Sequence, residues 1–358
     1  MKISFIIPEL CITGGNKMIF NYASGLNSLG HEVTIYCPYT PLSPYRRMFK
    51  PFYIKYQTKK TFQSILDRKK IQKEFLWNNI EFKFVPFIDN VFIEDADAVI
   101  ASAWTTASYA YRLYPSKGRK FYYIQDYEKW NANVKYVDNS YYLPMRKITT
   151  SKYLKDLLFE KFGQESTQVL CGIDFTKYNN LSKVYNEKKK ITFYDHTLEN
   201  RNVSGAIYTS IKLKEKFPDL EFYCFGREKY HEIPTFVNFV KNADDKKIIQ
   251  LYCESDIFIY PAFYEGFGAP PAEAMGCKCV VVGNPTGAFP EYSVNGETAI
   301  WADPSDPDGL FKGVSLLLES DTMLKRISLA GYNYVRKILD LDSSTKRFEK
   351  VLLDSGKE

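Results

Sequence analysis

The sequence predicts an α/β protein with two domains, each built on a parallel β-sheet. Its 358 residues exceed what one hydrophobic core usually supports. Short apolar runs typical of buried strands alternate with amphipathic stretches typical of helices, which indicates parallel sheets with crossover helices. A polar, lysine-rich interval at residues 176–190 separates two halves that repeat this alternation, and we interpret it as an interdomain linker.

The first half opens with a strand, a helix and a strand. Residues 3–8 predict the first strand, residues 17–29 an amphipathic helix and residues 33–37 the second strand. Later segments predict further strands at residues 82–85, 98–101, 121–124 and 168–171, and a helix at residues 152–162. We assign residues 1–178 to an N-terminal domain.

The second half restarts the same pattern. Two or three helices are expected within residues 306–353. Before them, apolar runs predict strands at residues 191–194, 221–225, 257–260, 279–282 and 299–301, with helices between them. We assign residues 179–340 to a C-terminal domain and residues 341–358 to a terminal helix.

The most informative segment is residues 263–275, which read Phe-Tyr-Glu-Gly-Phe-Gly-Ala-Pro-Pro-Ala-Glu-Ala-Met. Glu265 lies in the loop at the carboxyl end of a predicted strand, and Glu273 lies in the helix that follows. Backbone N–H groups and the positive end of the helix dipole can hold a phosphate at such a position. The segment therefore predicts a site for an anionic sugar ligand.

This segment resembles the Glu-x7-Glu signature of family 4, a family of retaining glycosyltransferases with the GT-B fold, in which two Rossmann-like domains face a central cleft. The resemblance implies that Glu273 binds the ribose of a nucleotide. It also implies that the terminal helix crosses back to the N-terminal domain. The donor sugar is expected to contact the first glutamate and the glycine loop, namely Glu265, Gly266, Phe267, Gly268 and Ala269.

A second glycine pair, Gly14 and Gly15, follows the first predicted strand and precedes the first predicted helix. Its amides can approach a phosphate or sugar. The position matches the N-domain glycine loop of family 4, and residues 29–34 resemble the family's entry to the second strand. We therefore expect both glycines to bind the donor, with a plain turn as the alternative.

Transfer from a nucleoside diphosphate builds negative charge on the leaving group, so a metal-independent enzyme needs fixed cations. Arg201, between a predicted strand and helix, is our candidate. The family usually places an arginine just after this strand, where this chain has His196. Either the bound donor protonates His196 or another cation substitutes, and Arg227 is one candidate. We expect no cofactor and no metal, and a UDP-, dTDP- or GDP-sugar as the donor.

The acceptor is expected at two strand ends of the N-terminal domain. Trp104 follows one strand, at a site where many family members have a histidine, and Asp126 and Glu128 follow another. Either carboxylate can orient an acceptor hydroxyl or form a salt bridge within the loop. Residues 122–128 resemble a rhamnosyltransferase-like branch of the family. A metal-binding role for Asp95-Ala-Asp97 is not expected, because these residues precede a strand.

Charge suggests a partner for the first half. Ten Lys and Arg residues lie from Arg46 to Lys73 against the single acid Asp67, with aromatic residues between them. Such a segment can dock on an anionic membrane or a lipid-linked acceptor, or it can be an ordinary solvated surface. Nucleic acid is not an expected partner, because no nucleic-acid-binding motif accompanies the segment.

The chain shows no apolar run of about 20 residues and no recognisable signal peptide. We therefore expect a cytoplasmic protein that can act at the inner face of the cell membrane.

Together these features and the resemblance predict a glycosyltransferase that moves a sugar from a nucleotide donor to a glycan or lipid-linked saccharide in surface polysaccharide or glycoconjugate synthesis. The resemblance implies that the anomeric configuration is retained. One alternative is a non-catalytic scaffold that binds sugar nucleotides or glycans within a polysaccharide assembly complex. His196 and the absence of a histidine near Trp104 motivate that alternative. A nucleotide-sugar epimerase of the same fold is the third.

Overall fold

A computed structural model of the chain describes residues 1–11, 13–42, 59, 62, 80–129, 133–185 and 187–354. The chain forms two compact units, the first comprising Met1–Gly172 and Leu341–Glu358 and the second Ile173–Asp340. The first boundary therefore precedes the predicted one at residue 178 by a few residues. The terminal segment from Leu341 belongs to the first unit.

The first unit is built on a parallel sheet with seven strands among its described residues. The strands are β1 (Lys2–Ile6), β2 (Glu32–Pro38), β3 (Glu81–Val85), β4 (Ala98–Ala101), β5 (Arg119–Ile124), β6 (Arg146–Thr149) and β7 (Thr167–Gln168). Their order across the sheet is β3-β2-β1-β4-β5-β6-β7, and every pairing is parallel. The helices among them are α1 (Gly14–Ser28), α2 (Trp104–Arg112), α3 (Val134–Tyr141) and α4 (Lys152–Phe162).

The second unit has a six-stranded parallel sheet in its described residues. The strands are β8 (Lys190–Tyr194), β9 (Glu221–Gly226), β10 (Val237–Lys241), β11 (Ile257–Tyr260), β12 (Val280–Gly283) and β13 (Ile300–Trp301). Their order is β10-β9-β8-β11-β12-β13. The helices are α5 (Val203–Lys216), α6 (Asp245–Glu254), α7 (Ala269–Gly276), α8 (Gly309–Leu318) and α9 (Asp321–Ile338).

Both sheets have a topological switch point, where the strand order reverses direction. In the first unit this point lies between β1 and β4, and in the second it lies between β8 and β11. Open parallel sheets bind ligands outside the carboxyl ends of the strands at such a point. The loops after these four strands are therefore the first places to look for a functional site.

The last helix, α10 (Leu341–Leu353), packs within the first unit. Phe348 is fully buried, and its ring stacks on Tyr22 with centroids 4.4 Å apart. The Tyr22 hydroxyl lies 2.8 Å from Oγ of Ser344, and Nε2 of His31 lies 2.7 Å from Oε1 of Glu349 on the same helix. These contacts show that α10 is an integral part of the core of this unit.

The predicted start of the first helix is wrong. α1 begins at Gly14, so Gly14 and Gly15 form its first turn and do not precede it. Thr13 is the N-cap, and its side chain accepts a hydrogen bond from the Asn16 N–H at 3.3 Å. A threonine cap satisfies an N–H that the first turn of a helix leaves without a partner, which explains the earlier start.

The basic segment from Arg46 to Lys73 lies outside the described residues, apart from Lys59 and Phe62. Among the helices that the structure describes, none combines the length and apolar character needed to cross a membrane.

Candidate functional site

The loops after β8 and β11 bring Arg201 and Glu265 together. Nη1 of Arg201 lies 2.8 Å from Oε1 of Glu265, and the two side chains are 10% and 13% exposed. The Tyr260 hydroxyl donates to Oε2 of the same carboxylate at 2.6 Å. Both oxygens of the buried carboxylate therefore have a hydrogen-bond donor, which is the condition under which a buried ion pair is tolerated.

Asparagine side chains tie these two loops to each other. Nδ2 of Asn200 donates to the Tyr264 carbonyl at 2.8 Å, and Nδ2 of Asn202 donates to the Pro261 carbonyl at 3.1 Å. Asn202 has a positive φ of 48°, a conformation that asparagine tolerates better than most residues. The turn that carries Arg201 is thus fixed relative to the loop that carries Glu265.

The glycine loop of residues 265–268 is shaped by two buried tyrosines. Gly268 has φ of 85°, and a Cβ there would lie 3.0 Å from the Tyr260 hydroxyl and 3.1 Å from the Tyr292 hydroxyl. The Tyr292 hydroxyl donates to the Gly268 carbonyl at 2.5 Å. Phe267 is buried against Tyr292, with ring centroids 5.6 Å apart, and Gly266 is also buried. Only glycine suits position 268, for both its backbone and its space.

The start of α7 offers fewer amides than the sequence suggested. α7 begins at Ala269, and the next two residues, Pro270 and Pro271, have no N–H. A helix start normally presents several unpaired N–H groups to an anion, and here two of them are missing. Any phosphate bound at this edge therefore depends more strongly on side-chain cations.

Glu273 lies on α7, one turn into the helix, and is half-buried. The side chains of Glu273 and Tyr178 form a hydrogen bond. Burial, reinforced by the carboxylate charge of Glu273, holds the pKa of Tyr178 well above its usual range, so the hydroxyl stays protonated and donates. Tyr178 thus orients the carboxylate for which the family resemblance implies a contact with the ribose.

His196 is held as a neutral imidazole. Its Nδ1 accepts a hydrogen bond from the Leu198 N–H at 3.0 Å, so the ring proton sits on Nε2. Burial lowers the pKa of His196 to about 4; the charges of Arg201 and Arg227 act in the same direction, and the charge of Asp195 opposes them. The structure therefore brings three predicted residues, His196, Arg201 and Arg227, to the same sheet edge, with His196 uncharged at neutral pH.

Sequence reasoning missed a carboxylate beside them. Asp195 follows β8 directly, and its side chain is 0% exposed. One of its oxygens accepts from the backbone N–H groups of Tyr230 at 2.7 Å and His231 at 3.3 Å. The other accepts from Nδ1 of His231 at 2.6 Å. An aspartate immediately after an apolar strand was the available signal, but its partner lies 36 residues away.

In the first unit, Gly14 and Gly15 lie at the start of α1, beside the switch point. A Cβ at Gly15 would lie 3.4 Å from Oε1 of Gln125, whereas one at Gly14 would meet no heavy atom within 4 Å. The space beside Gly14 is therefore open, whereas at Gly15 the lack of a side chain lets the helix backbone lie close to the Gln125 side chain.

The predicted acceptor residues Trp104 and Glu128 are in contact. Oε2 of Glu128 accepts a hydrogen bond from the Trp104 N–H at 2.9 Å, at the first residue of α2. The N-cap is Ala103, which has no side-chain acceptor, so Glu128 supplies the acceptor for this N–H of the first turn. Burial raises the pKa of Glu128 to about 7; the charge of Asp126 adds to this and the Trp104 N–H opposes it. Asp126 itself accepts from the Tyr127 N–H at 2.8 Å.

Asp95 and Asp97 precede β4 and lie at its amino end, away from the switch-point edge. Asp95 pairs with Lys117 at 2.8 Å, and Asp97 accepts from the Lys2 N–H at 2.7 Å. In the part of the chain that the structure describes, no group of three or more His, Cys, Asp or Glu side chains is arranged to hold a metal ion.

Comparison with known structures identifies the fold. Nearly the whole chain, 98%, superposes on 99% of Anabaena Alr3699/HepE, solved in complex with UDP and glucose, with a TM-score of 0.76 and 13% sequence identity. The chain has the GT-B fold. A second GT-B structure, WaaG, a glycosyltransferase involved in lipopolysaccharide biosynthesis, matches 99% of this chain and 100% of its own, with a TM-score of 0.69 and 11% identity.

Sequence comparison matches part of the chain, within the second unit, to one family model. Residues 174–334 match the family model of glycosyl transferases group 1, a range that contains Arg201, Glu265 and Glu273. O-antigen chain mannosyltransferase B of Escherichia coli is 34% identical over 87 residues, which cover 24% of this chain. The matched segments span 22% and 29% of the first two curated relatives, so the chain matches less than a third of their length.

Proposed function

We propose that this chain is a retaining, metal-independent glycosyltransferase of family 4. It moves a sugar from a nucleotide-sugar donor to a glycan or lipid-linked saccharide in surface polysaccharide or glycoconjugate synthesis. The observation that carries the proposal is the buried Arg201–Glu265 pair, which lies at the switch point of the second unit within the matched family region. The mannosyltransferase relative and the lipopolysaccharide enzyme support the acceptor class, and the complex with UDP and glucose supports the donor class.

Glu265 is the proposed contact for the donor sugar. Each carboxylate oxygen can accept more than one hydrogen bond, so Glu265 can bind a sugar hydroxyl while it keeps Arg201 and Tyr260. The ion pair and the tyrosine hold the carboxylate in one orientation before the donor arrives. Preorganisation of this kind lowers the entropic cost of binding. Glu273, oriented by Tyr178, is the proposed contact for the ribose hydroxyls.

The proposed reaction proceeds on one face of the sugar. The bond between the anomeric carbon and the phosphate oxygen breaks, and the nucleoside diphosphate leaves with the electron pair. The acceptor hydroxyl attacks the resulting oxocarbenium-like carbon from the same face, and its proton passes to the leaving phosphate oxygen. Arg201 and Arg227 stabilise the charge that develops on the diphosphate, and the configuration of the anomeric carbon is retained.

The first test is donor binding followed by turnover. Thermal shift with UDP-, dTDP- and GDP-sugars identifies the donor, and a dTDP preference would support the rhamnosyltransferase-like branch. Release of the nucleoside diphosphate in the presence of glycan or lipid-linked acceptors then measures transfer. NMR of the product gives its anomeric configuration, and inversion contradicts the retaining mechanism.

Three variants separate the proposed roles. Glu265→Gln should mainly reduce turnover, and Glu273→Gln should mainly weaken nucleotide binding. Glu297→Gln is the matched control, because Glu297 is an exposed acid of the same unit and should leave both unchanged. Tight nucleotide binding with no transfer and no donor hydrolysis favours a scaffold. Conversion of the donor to an isomer without acceptor indicates an epimerase.

Peripheral contact with an anionic membrane is part of the proposal for a lipid-linked acceptor. The basic sequence from Arg46 to Lys73 supports it, at about 1 kcal/mol for each cation near the headgroups. Replacing the lysines from Lys55 to Lys73 by glutamine should reduce partitioning onto vesicles that contain phosphatidylserine. Unchanged partitioning would remove the membrane role without affecting the donor site.

A further inference from the structure

The cations predicted for the donor diphosphate are only partly suited to it. His196 is neutral, because its Nδ1 accepts from the Leu198 N–H and burial lowers its pKa. Arg201 already pairs with Glu265, with Nη1 2.8 Å from Oε1, so part of its charge is compensated. The start of α7 lacks two amides because of Pro270 and Pro271. A nucleoside diphosphate carries at least two negative charges, so a further donor group at this edge of the sheet would add to the contribution of Arg201 and Arg227.

His231 has the geometry for this role. It lies on the loop after β9, and Asp195 draws it back toward the end of β8, the strand that borders the switch point. Nδ1 is engaged by the buried carboxylate, and the ring is 31% exposed. Among the described residues, Nε2 of His231 has no hydrogen-bond partner. The imidazole is thus anchored at one nitrogen and open to a ligand at the other.

We infer that His231, oriented by Asp195, binds a phosphate group of the nucleotide through Nε2–H. The inference rests on the proposed function and names a residue for its donor site. A phosphate oxygen accepts hydrogen bonds only, so it requires a protonated Nε2. With Nδ1–H already donated to Asp195, binding selects the doubly protonated ring, whose positive charge is balanced by the aspartate and the phosphate.

The surrounding loop is suited to an anion. The backbone N–H groups of Tyr230 and His231 both donate to Asp195, so the loop is fixed as well as the ring. Arg227 and Lys229 lie on the same loop and are exposed. Of the two acids on this loop, Glu228 is paired with Lys241 at 2.6 Å, and Glu232, the residue after His231, is exposed. The loop therefore places two exposed cations within four residues of His231 along the chain.

The test compares a nucleoside diphosphate with its nucleoside. Isothermal titration calorimetry is run with UDP, dTDP or GDP, whichever the wild type binds best, and with the matching nucleoside. His231→Gln should weaken diphosphate binding by about tenfold or more, the effect of losing one hydrogen bond to a charged group. Nucleoside binding should stay the same, because the phosphate contact is absent from that ligand.

Two further variants make the result interpretable. Asp195→Asn keeps the shape but removes the charge, and it should weaken diphosphate binding in the same selective way. His31→Gln is the matched control, since His31 also pairs with a carboxylate, Glu349, but lies in the first unit. It should bind both ligands like the wild type.

The outcomes are distinct. Equal diphosphate affinity in wild type and His231→Gln overturns the inference and leaves the proposed function intact. Equal losses for diphosphate and nucleoside also overturn it, because they indicate a general effect on structure. If the wild type binds no nucleoside diphosphate, the proposed function itself fails, together with the inference.

Discussion

The Arg201–Glu265 pair allows a quantitative prediction about stability. At 2.8 Å and an effective dielectric constant of about 20, the gross attraction between two unit charges is about 6 kcal/mol. Desolvation of both groups offsets much of this attraction. Removing only one partner, however, leaves the other charge buried and uncompensated. Arg201→Met should therefore lower the free energy of unfolding of the second unit by about 3 kcal/mol.

A double-mutant cycle tests the coupling directly. Glu265→Gln removes the charge but keeps an oxygen that can accept from Tyr260. Because each single variant leaves an unpaired group, the double variant should be less destabilised than the sum of the two, by about 1 to 3 kcal/mol. Urea denaturation followed by circular dichroism measures each value without nucleotide. A second series with nucleotide at 100 times its Kd should add about 2.7 kcal/mol to the wild type and less to each variant.

The control is an exposed pair of the same unit. Nζ of Lys312 lies 2.6 Å from Oδ2 of Asp306, with side chains 65% and 31% exposed. Solvent screens such a pair, so a cycle there should show little coupling. If the Arg201–Glu265 cycle is additive within about 0.5 kcal/mol, the buried pair does not stabilise the loops, and the reasoning on preorganisation is refuted.

Three further predictions concern single positions. Tyr260→Phe removes the hydroxyl that donates to Glu265 and should lower the free energy of unfolding, measured by urea denaturation, by about 1.5 to 3 kcal/mol. An unchanged free energy of unfolding would show that water replaces the hydroxyl. Phe348→Ala should cost about 3 to 5 kcal/mol in the stability of the first unit, because this fully buried ring stacks on Tyr22; a loss below 1 kcal/mol would contradict integral packing of α10. Glu128→Gln should matter little near pH 4, but at pH 8 it should stabilise the protein by about 3 kcal/mol. The raised pKa of about 7 means that folding favours the protonated acid, and this advantage is lost as the pH rises through that value. If the difference in stability between Glu128→Gln and the wild type is the same at pH 4 and pH 8, Glu128 does not have a raised pKa.

Strand ends explain why part of the candidate site could be located from the sequence. β11 and β12 are uninterrupted apolar runs, so their carboxyl ends are visible in the sequence. Glu265 lies in the loop that follows the end of β11, and the prolines mark the start of α7. Local signals of this kind need no knowledge of distant contacts.

Two strands were missed for physical reasons. β6 begins with Arg146 and Lys147, which argue against a buried strand, yet Lys147 is buried because Nζ donates to the carbonyls of Leu143 at 3.1 Å and Met145 at 3.2 Å. β10 lies at the edge of its sheet and is only partly buried, so its polar residues conceal it. In both cases tertiary contacts outweigh the local pattern.

The residues that complete the site were not predictable from periodicity. Tyr260 is the last residue of a buried strand, and a hydropathy pattern counts it with the core. The structure shows that its ring is buried while its hydroxyl holds Glu265. Tyrosine fits both roles because it combines a large apolar body with one polar group. Tyr292 was not predicted either. Its hydroxyl donates to the Gly268 carbonyl, which lies 24 residues earlier in the sequence.

His196 stands where an arginine is expected, and this difference motivated the scaffold alternative. A neutral imidazole there removes one fixed charge, but the adjacent Asp195 brings a second imidazole, His231, to the same edge. If His231 binds the diphosphate as inferred, the missing arginine does not by itself favour the scaffold, because Asp195 holds another donor group at this edge. Turnover by the wild type, with selective loss of diphosphate affinity in His231→Gln, would show that this compensation operates. Turnover that is insensitive to His231 would instead assign the phosphate charge to Arg201 and Arg227.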